Sequence, residues 1–277
     1  MPELPEVEAV RRRLERVMRG ARIDRVRLGR ADLRRPFPAD FVRRLEGRRV
    51  RSVDRRGKYL LVVVDSGDTL LMHLGMSGSF RIDPAAKRPG GDRRVQPDRH
   101  DHVVFSLSNG AIVTFNDPRR FGAMDLIGAA PGTGHPAVEG MGPEPLSSAF
   151  DAAALAAACA GRRVALKIAL LDQRVVAGLG NIYASEALHV AHLSPRRRAS
   201  TIATAAGQPR PHAVRLVAAI KSVLQRAIDR KAAYDGGGRF RVYEHEGEPC
   251  RTRGCPGTIR RITQAGRSTF FCPICQR

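Results

Sequence analysis

Hydrophobic residues recur along the chain with two different periods. Residues 5–19 carry apolar side chains at helical spacing, and Pro5 and Gly20 favour the start and the end of this first helix. The apolar residues on that face are Val7, Val10, Leu14 and Val17. From about residue 21 to 127 the period falls to two, which is typical of strands with one buried face.

Four short runs in this first half are rich in β-forming residues: 59–64, 69–73, 102–107 and 111–115. The last two are joined by Ser108-Asn-Gly110, and Asn-Gly between alternating runs is a strong hairpin signal. The pattern predicts an N-terminal helix followed by an antiparallel β-sandwich.

The second half reads as helical. Helical patterns cover residues near 147–160, 164–172, 181–191 and 210–230, and a cysteine-bearing tail follows from 241. We therefore predict an α+β fold with a β-sandwich domain at 1–130, a Gly/Pro-rich linker at 131–146, a helical domain at 147–235 and a zinc-finger segment at 241–277.

The charge balance adds a partner class to this picture. The chain has 48 Lys and Arg against 27 Asp and Glu, a net charge of +21, which favours a polyanion such as nucleic acid over a small metabolite. The longest apolar run is far shorter than the ~20 residues of a spanning helix, and the acidic, proline-broken start is unlike a signal peptide. We expect an intracellular protein without a membrane segment.

Four of the five cysteines lie near the end of the sequence. Cys250 and Cys255 form one close pair, Cys272 and Cys275 another, and such pairs supply the four thiolates of a tetrahedral zinc site. The alternative is two disulfides, but the intracellular setting and the small size of the tail favour zinc. With four protein ligands the zinc is structural. The fifth, Cys159, is predicted to be a core residue.

Two further segments suggest chemistry. Gly178-Leu-Gly-Asn181 precedes a helix, and N–H groups at a helix start favour a phosphate. At the amino terminus, removal of Met1 would turn the nitrogen of Pro2 from an amide into a secondary amine. Such an amine can attack a sugar carbon to form a Schiff base, and Glu3 could supply a proton. The plainer interpretation is a helix start with acidic residues in its first turn.

Six blocks of sequence, taken together, carry a family resemblance. They are MPELPEVE at 1–8, GKYLL at 57–61, HLGMSG at 73–78, DPRRFG at 117–122, GLGNIYASE at 178–186 and the four-cysteine tail. In this order they resemble the bacterial formamidopyrimidine-DNA glycosylases, which are bifunctional glycosylases and lyases for oxidised purines. Leu4 resembles this branch of the family rather than the branch for oxidised pyrimidines.

The resemblance implies roles for individual residues. Pro2 would be the Schiff-base nucleophile, Glu3 a proton donor, Lys58 a lysine associated with β-elimination, and Arg267 an arginine associated with phosphate contact and δ-elimination. Glu6 would order this cluster rather than react.

Other positions match the family's DNA contacts. Met76, Arg119 and Phe121 match the side chains that fill the space left by a flipped base, with Arg119 facing the orphaned partner base. Residues that match contacts to the DNA backbone are His100, Arg163, Lys167 and Asn181, and the helices around 178–181 resemble a helix–two-turn–helix motif. The implied partner is damaged double-stranded DNA, bound by a monomer in the bacterial cytoplasm at the nucleoid.

One segment departs from the family. Between the last long helix and the cysteine tail, residues 230–241 stand where the family has a longer loop implicated in holding 8-oxoguanine. We therefore expect intact lyase chemistry with altered lesion preference. The alternatives are a glycosylase for oxidised pyrimidines, which the start motif disfavours, and a non-catalytic DNA-binding zinc protein, which would not need to keep Pro2, Glu3 and Lys58.

Overall fold

The computed structural model describes residues 1–84, 98–130, 134–232 and 240–277. It divides into two compact units. The first comprises Met1–Pro2 and Glu6–Glu139, and the second comprises Glu3–Pro5 and Gly140–Arg277. Glu3 therefore belongs with the C-terminal half of the chain. The finer division into four segments, parts of which lie outside the described residues, stays a prediction.

The first unit is a sandwich of two antiparallel sheets preceded by a helix, as the sequence predicts. Helix α1 covers Leu4–Met18, and a short helix α2 covers Phe41–Leu45. One sheet has the order β1-β6-β7-β5 and the other β2-β3-β4-β8. The strands are β1 Ile23–Leu28, β2 Val50–Arg56, β3 Tyr59–Val64, β4 Thr69–His73, β5 Ser79–Asp83, β6 Asp101–Leu107, β7 Ile112–Asn116 and β8 Ala123–Ile127.

The core of the first unit is made by the inward faces of these sheets and by the apolar face of α1. Alternate residues of β3 are buried, because neighbouring side chains in a strand point to opposite faces. Val7 and Leu14 of α1 pack into the same cluster as Phe105 and Phe115. This packing fixes the loops at the ends of the strands, which carry several of the predicted site residues.

The described residues of the second unit form four helices and a short 3-10 helix, Ala199–Ile202, around an alanine- and leucine-rich core. The helices are α3 Ala152–Cys159, α4 Leu166–Leu171, α5 Asn181–Val190 and α6 Pro211–Ala232. Helix α3 begins later than predicted, because the Asp151 side chain accepts from the N–H of Ala154 and caps the helix there. Cys159 is fully buried, as predicted, and burial raises the pKa of its thiol to about 11.

The second unit ends in a β-hairpin of β9 Arg260–Gln264 and β10 Arg267–Phe271. Ala265 and Gly266 form its turn, both with positive φ, as in a two-residue type I′ turn. A small separate core that includes Val242, Ile259 and Phe270 supports the hairpin. The α+β fold class is confirmed. No helix among the described residues is both long and apolar enough to span a bilayer.

Candidate functional site

Glu3 is held at the start of helix α5. The side chain is 2% exposed, and its carboxylate accepts from the N–H groups of Ile182, at 2.9 Å, and Tyr183, at 3.3 Å. A Cβ added at Gly180 would overlap this carboxylate, so glycine is required there. A carboxylate is stabilised at a helix N-terminus because the free N–H groups and the helix dipole favour negative charge.

This contact corrects one sequence interpretation. The N–H groups at the start of α5 were expected to bind a phosphate, but those of Ile182 and Tyr183 already donate to Glu3. The glycines of 178–181 instead allow close approach of the amino-terminal segment: the N–H of Leu4 donates to the carbonyl of Gly178 at 3.3 Å, and Gly178 has a φ of +79°. The motif thus fixes the residue that follows Pro2.

Pro2 itself is partly exposed in the first unit, and its nitrogen is an amide as long as Met1 precedes it. Glu6 lies in the first turn of α1 and is half-buried. Their predicted roles as nucleophile and supporting residue stay predictions.

Lys58 lies in the tight turn between β2 and β3 of the first unit and is only 9% exposed. The guanidinium of Arg55 donates to the carbonyl of Gly57 at 2.9 Å and to Glu8 at 3.2 Å. Although burial opposes it, hydrogen bonds from Arg11, Arg12 and Arg55 lower the pKa of Glu8, so the carboxylate stays charged. An ion-pair cluster therefore ties the turn that carries Lys58 to helix α1.

His73, at the end of β4, lies beside this turn. Its ring packs against Tyr59 with centroids 4.8 Å apart, and its Nδ1 accepts from the N–H of Gly75 at 3.0 Å. Burial, together with the positive charges of Lys58 and Arg34, lowers the pKa of His73 to about 4. A neutral ring is therefore available as an acceptor that holds the 74–78 loop.

Two loops of the first unit meet at the buried carboxylate of Asp117. One oxygen accepts from the Ser77 hydroxyl at 2.6 Å and the other from the N–H of Gly122 at 2.7 Å. The backbone N–H of Asp117 donates to the carbonyl of His100. Because a buried charge must be hydrogen-bonded, this network strongly constrains the 74–78 and 117–122 loops.

These loops present the three predicted space-filling side chains. Met76 and Phe121 are large apolar residues that are 44% and 43% exposed. The guanidinium carbon of Arg119 lies 4.8 Å from the centre of the Phe121 ring, a cation–π distance. Between them, Arg120 has a φ of 56°, which bends the loop. The structure therefore brings Met76, Arg119 and Phe121 together on one surface.

In the second unit, Lys167 connects α4, α5 and the hairpin. Its side chain is 0% exposed, and its ammonium donates to the side chains of Asn181 and Thr269, each at 2.7 Å, and to the carbonyl of Ser268 at 3.2 Å. The amide of Asn181 also donates to the carbonyl of Ser268, at 2.9 Å. Burial, with a smaller effect from Arg267, lowers the pKa of Lys167 to about 8.

Lys167 and Asn181 thereby fix the start of β10, where Arg267 lies exposed beside the two-residue turn. Arg163 is also exposed, four residues before Lys167. Lys167 itself holds other residues in place rather than presenting its ammonium at the surface, so its predicted contact with DNA stays a prediction, like those of Arg163 and Asn181.

The four C-terminal cysteines converge as the sequence predicts. Their Sγ atoms all lie within 4.8 Å of one another, and the pairs Cys250–Cys275 and Cys255–Cys272 are 3.7 Å apart. Zn–S bonds of about 2.3 Å in a tetrahedron place sulfurs about 3.8 Å apart, whereas a disulfide needs about 2.05 Å. The cluster fits a metal ion, and Nε2 of the buried His189 lies 3.4 Å from the Cys250 sulfur.

Several supporting residues escaped the sequence reasoning: Ser77, Asp117, His73, His189 and Thr269. His73, Ser77 and Asp117 belong to motifs that the sequence analysis singled out, so a search of those motifs for polar residues could have found these residues, although not the hydrogen bonds between them. No pattern in the sequence pairs Lys167 with Thr269, because the two are 102 residues apart.

The whole chain resembles proteins of one family. Residues 1–124 match the family model of the formamidopyrimidine-DNA glycosylase N-terminal domain, and residues 141–235 match the H2TH domain of the same enzyme. The formamidopyrimidine-DNA glycosylase of Afipia carboxidovorans is 55% identical over 294 aligned positions, and that of Bradyrhizobium sp. strain ORS 278 is 56% identical over 293. Both alignments cover all of this chain and all of the relative.

Solved structures agree with this match. MutM (Fpg) from Thermus thermophilus has a TM-score of 0.81 at 38% identity, and the match covers 99% of this chain and 98% of that one. The Lactococcus lactis enzyme, non-covalently bound to DNA that contains an AP site, has a TM-score of 0.82 at 29% identity and full coverage of both chains. Both halves of the chain and its full length therefore match the same enzymes, and the chain belongs to the formamidopyrimidine-DNA glycosylase family of DNA glycosylases.

Proposed function

We propose that this chain removes oxidised purines, namely formamidopyrimidines and 8-oxoguanine, from duplex DNA and then cuts the strand at the resulting abasic site. The observation that carries the proposal is Glu3. A carboxylate fixed by two N–H groups of α5 directly follows Pro2, whose nitrogen becomes an amine once Met1 is removed. Family membership supports the glycosylase step, and the lyase step rests on this arrangement.

The proposed reaction begins with attack of the Pro2 amine on C1′ of the damaged nucleotide. The C1′–N bond to the base breaks and the base takes a proton from water, while the Glu3 carboxylate accepts the proton that the attacking amine releases. Glu3 then donates this proton to the ring oxygen as the C1′–O bond breaks and the sugar opens to an iminium. Loss of a proton from C2′ then expels the 3′ phosphate, and a second elimination expels the 5′ phosphate. Lys58 and Arg267 are the residues proposed to assist these two steps, which leave a one-nucleotide gap.

The exposed trio of Met76, Arg119 and Phe121 fits the need to replace an extruded base. Unstacking a base costs a few kcal/mol, and apolar side chains inserted into the stack offset part of that cost. Because the buried Asp117 network constrains both loops, little additional ordering is needed when they enter DNA. We propose that this surface enters the space left by the lesion.

The metal that the four cysteines hold is proposed to be zinc. When bound, zinc supplies no open coordination position here, because Cys250, Cys255, Cys272 and Cys275 fill a tetrahedron. Its role is to hold the hairpin that presents Arg267. The proposed partner is damaged duplex DNA, which a single chain binds in the bacterial cytoplasm.

Borohydride trapping tests the proposed reaction and its lesion preference together. Three duplexes differ only in the lesion opposite cytosine: an abasic site, a formamidopyrimidine or 8-oxoguanine. We expect a covalent adduct with each, the fastest single-turnover cleavage at the abasic site and the slowest excision for 8-oxoguanine. Absence of any adduct on abasic DNA, with binding intact, would favour the non-catalytic alternative. A fourth duplex with an oxidised pyrimidine tests the sister activity.

The expected ranking of the three lesions comes from the short segment at residues 230–241, where the family has a longer loop. Residues 233–239 lie outside the described residues, so the structure does not bear on this segment. Fewer groups around the 8-oxo oxygen weaken selection for that base. Excision of 8-oxoguanine as fast as of the formamidopyrimidine would contradict this expectation.

The lowered pKa of Lys167 predicts that DNA binding depends on pH. The free protein loses the Lys167 proton near pH 8, whereas nearby phosphates raise the pKa in the complex. The complex therefore holds more protons than the free protein above pH 8, so affinity falls as pH rises, by up to about tenfold per pH unit. Titrations of Kd against an uncleavable abasic analogue from pH 7 to 9.5 measure this slope.

Lys167→Met is expected to weaken binding at pH 7 and to flatten the profile above pH 8. Lys221→Met is the matched control, because Lys221 is a partly buried lysine of the same unit whose ammonium donates to the Ser147 carbonyl. That variant should keep the slope of the unaltered chain. A slope that persists in Lys167→Met would assign the titration to another group.

A further inference from the structure

Five arginines surround an open cavity of about 590 Å³ in the second unit, and none of them has a role assigned above. They come from three places in the chain: Arg196, Arg197 and Arg198 follow α5, Arg260 lies in the hairpin, and Arg277 lies at the end of the described chain. Ser194, Thr201 and Gln276 add polar groups to the lining. Among the described residues, no acidic side chain lines the cavity. The carbonyl of Arg277 accepts from the N–H of Ser194 at 3.2 Å.

The positive charge of this cavity is uncompensated. Within the described ranges, none of the five arginines forms an ion pair with an acidic side chain. A guanidinium group usually satisfies its donors, and its planar fork matches the oxygens of a phosphate. The chemistry of the lining therefore favours a phosphate-bearing ligand.

The cavity is structurally connected to the proposed DNA contacts. The carbonyl of Arg197 accepts from the N–H of Leu166 at 2.6 Å, and the carbonyl of Pro195 accepts from the Gln264 side chain at 3.2 Å. The arginine segment is thus attached to the start of α4, which carries Lys167, and to the strand end opposite Arg267. The arginine segment and the hairpin, which both line the cavity, are therefore attached to the elements that carry the proposed DNA contacts of Lys167 and Arg267.

The length of the hairpin sets the distance between the cavity and Arg267. Arg260 pairs with Phe271, at the far end of β10 from Arg267. Four residue steps along a strand span about 13 Å. The 3.4 Å per nucleotide of one DNA strand is only the rise along the helix axis, and the path between successive phosphates is roughly twice as long. A DNA strand whose phosphate meets Arg267 and which follows the hairpin comes within reach of the cavity about two nucleotides away.

We propose that this arginine-lined cavity binds the phosphodiester backbone of duplex DNA on one flank of the lesion, outside the contacts to the damaged nucleotide. The inference rests on the proposed function, because it takes the DNA of that function as the ligand. It adds a second phosphate site, whose contribution is to affinity and not to chemistry.

The test combines arginine variants with DNA of locally neutral backbone. Duplexes of one length carry an uncleavable abasic analogue, and methylphosphonates replace the phosphates roughly two to four positions away, on one flank at a time. The protein variant is Arg198→Gln with Arg260→Gln. The matched control is Arg210→Gln with Arg215→Gln, which removes the same charge from exposed arginines of the same unit that do not line the cavity.

We expect the cavity variant to bind the unmodified duplex about tenfold more weakly, with a salt slope smaller by about 1.8 for two lost contacts. Methylphosphonates on one flank should lower the DNA affinity of the unaltered chain by a similar factor and leave the DNA affinity of the cavity variant almost unchanged. Cleavage of an abasic site at saturating protein should be unchanged in the variant, and this rate reports the proposed function separately.

Three outcomes overturn the proposal. If the cavity variant binds unmodified DNA as the unaltered chain does, the arginines are a solvated surface. If the losses of affinity caused by the cavity variant and by the methylphosphonates multiply on both flanks, the two changes act independently. The arginines then contact phosphates other than the neutralised ones, or no phosphate. If DNA binding is unchanged but the variant loses binding to polyglutamate, the ligand is an acidic protein.

Discussion

A chain that keeps any residue ahead of Pro2 is expected to give no borohydride-trapped adduct with abasic DNA, while its affinity for the duplex stays within about twofold. An amide nitrogen has no available lone pair, so it cannot form the iminium that borohydride reduces. The proposed DNA contacts lie elsewhere: Arg119 is in a loop of the sandwich, and Arg267 is in the hairpin. Trapping on denaturing gels and fluorescence anisotropy measure the two quantities on the same preparation.

The control is Pro2→Gly with Met1 removed, which restores a free amine of a different kind at the same position. It should recover part of the adduct, whereas the blocked chain recovers none. Undiminished trapping by the blocked chain would exclude Pro2 as the nucleophile and direct attention to Lys58.

Cys272→Ser is expected to abolish tight metal binding and to weaken DNA binding by about 100-fold, or about 2.7 kcal/mol. Cys272 is fully buried, and a Cβ at Gly257 would overlap its sulfur, so the thiolate is packed as well as positioned. The separate core around Val242 and Phe270 is small and depends on this site. Without the intact metal site, the hairpin becomes disordered and no longer holds Arg267 in position.

Cys159→Ser serves as the matched control, because it removes a buried thiol from the helical core and leaves the four-cysteine cluster intact. It should lower the thermal midpoint but keep one metal ion per chain and full DNA affinity. Metal content by atomic emission, circular dichroism and anisotropy separate these effects. A metal-free chain that binds abasic DNA with unreduced affinity would contradict the structural role.

The strands that the sequence analysis missed show where pattern reading fails. Strands β3 and β4 were predicted with their exact bounds, because each is a continuous apolar run. Strand β1 was missed because a register shift between Ile23 and Arg25 breaks its period of two. Strand β2 has a similar shift between Val50 and Ser52. A bulge adds one residue and moves the later side chains to the other face.

The candidate site shows a second limit. Residue type and close spacing identify Glu3 and the four cysteines as notable, whereas Lys58 and Lys167 are identified only by the family resemblance. The partners that give these residues their environment are distant in sequence: Ser77 is 40 residues from Asp117, and Ser268 is 87 from Asn181. Only the fold brings such residues together, so the hub at Asp117 and the buried position of Lys167 could not be predicted.

The attachment of Glu3 to helix α5 has a consequence for biosynthesis. Glu3 and Ile182 are 179 residues apart, so Glu3 leaves the ribosome long before its hydrogen-bond donors exist. At about 5–20 residues per second this interval lasts about 10–35 s. During that time the amino terminus is open to the enzymes that remove Met1, before helix α5 can hold the segment. A chain released before residue 182 would carry the proline but lack the N–H groups that fix the carboxylate beside it.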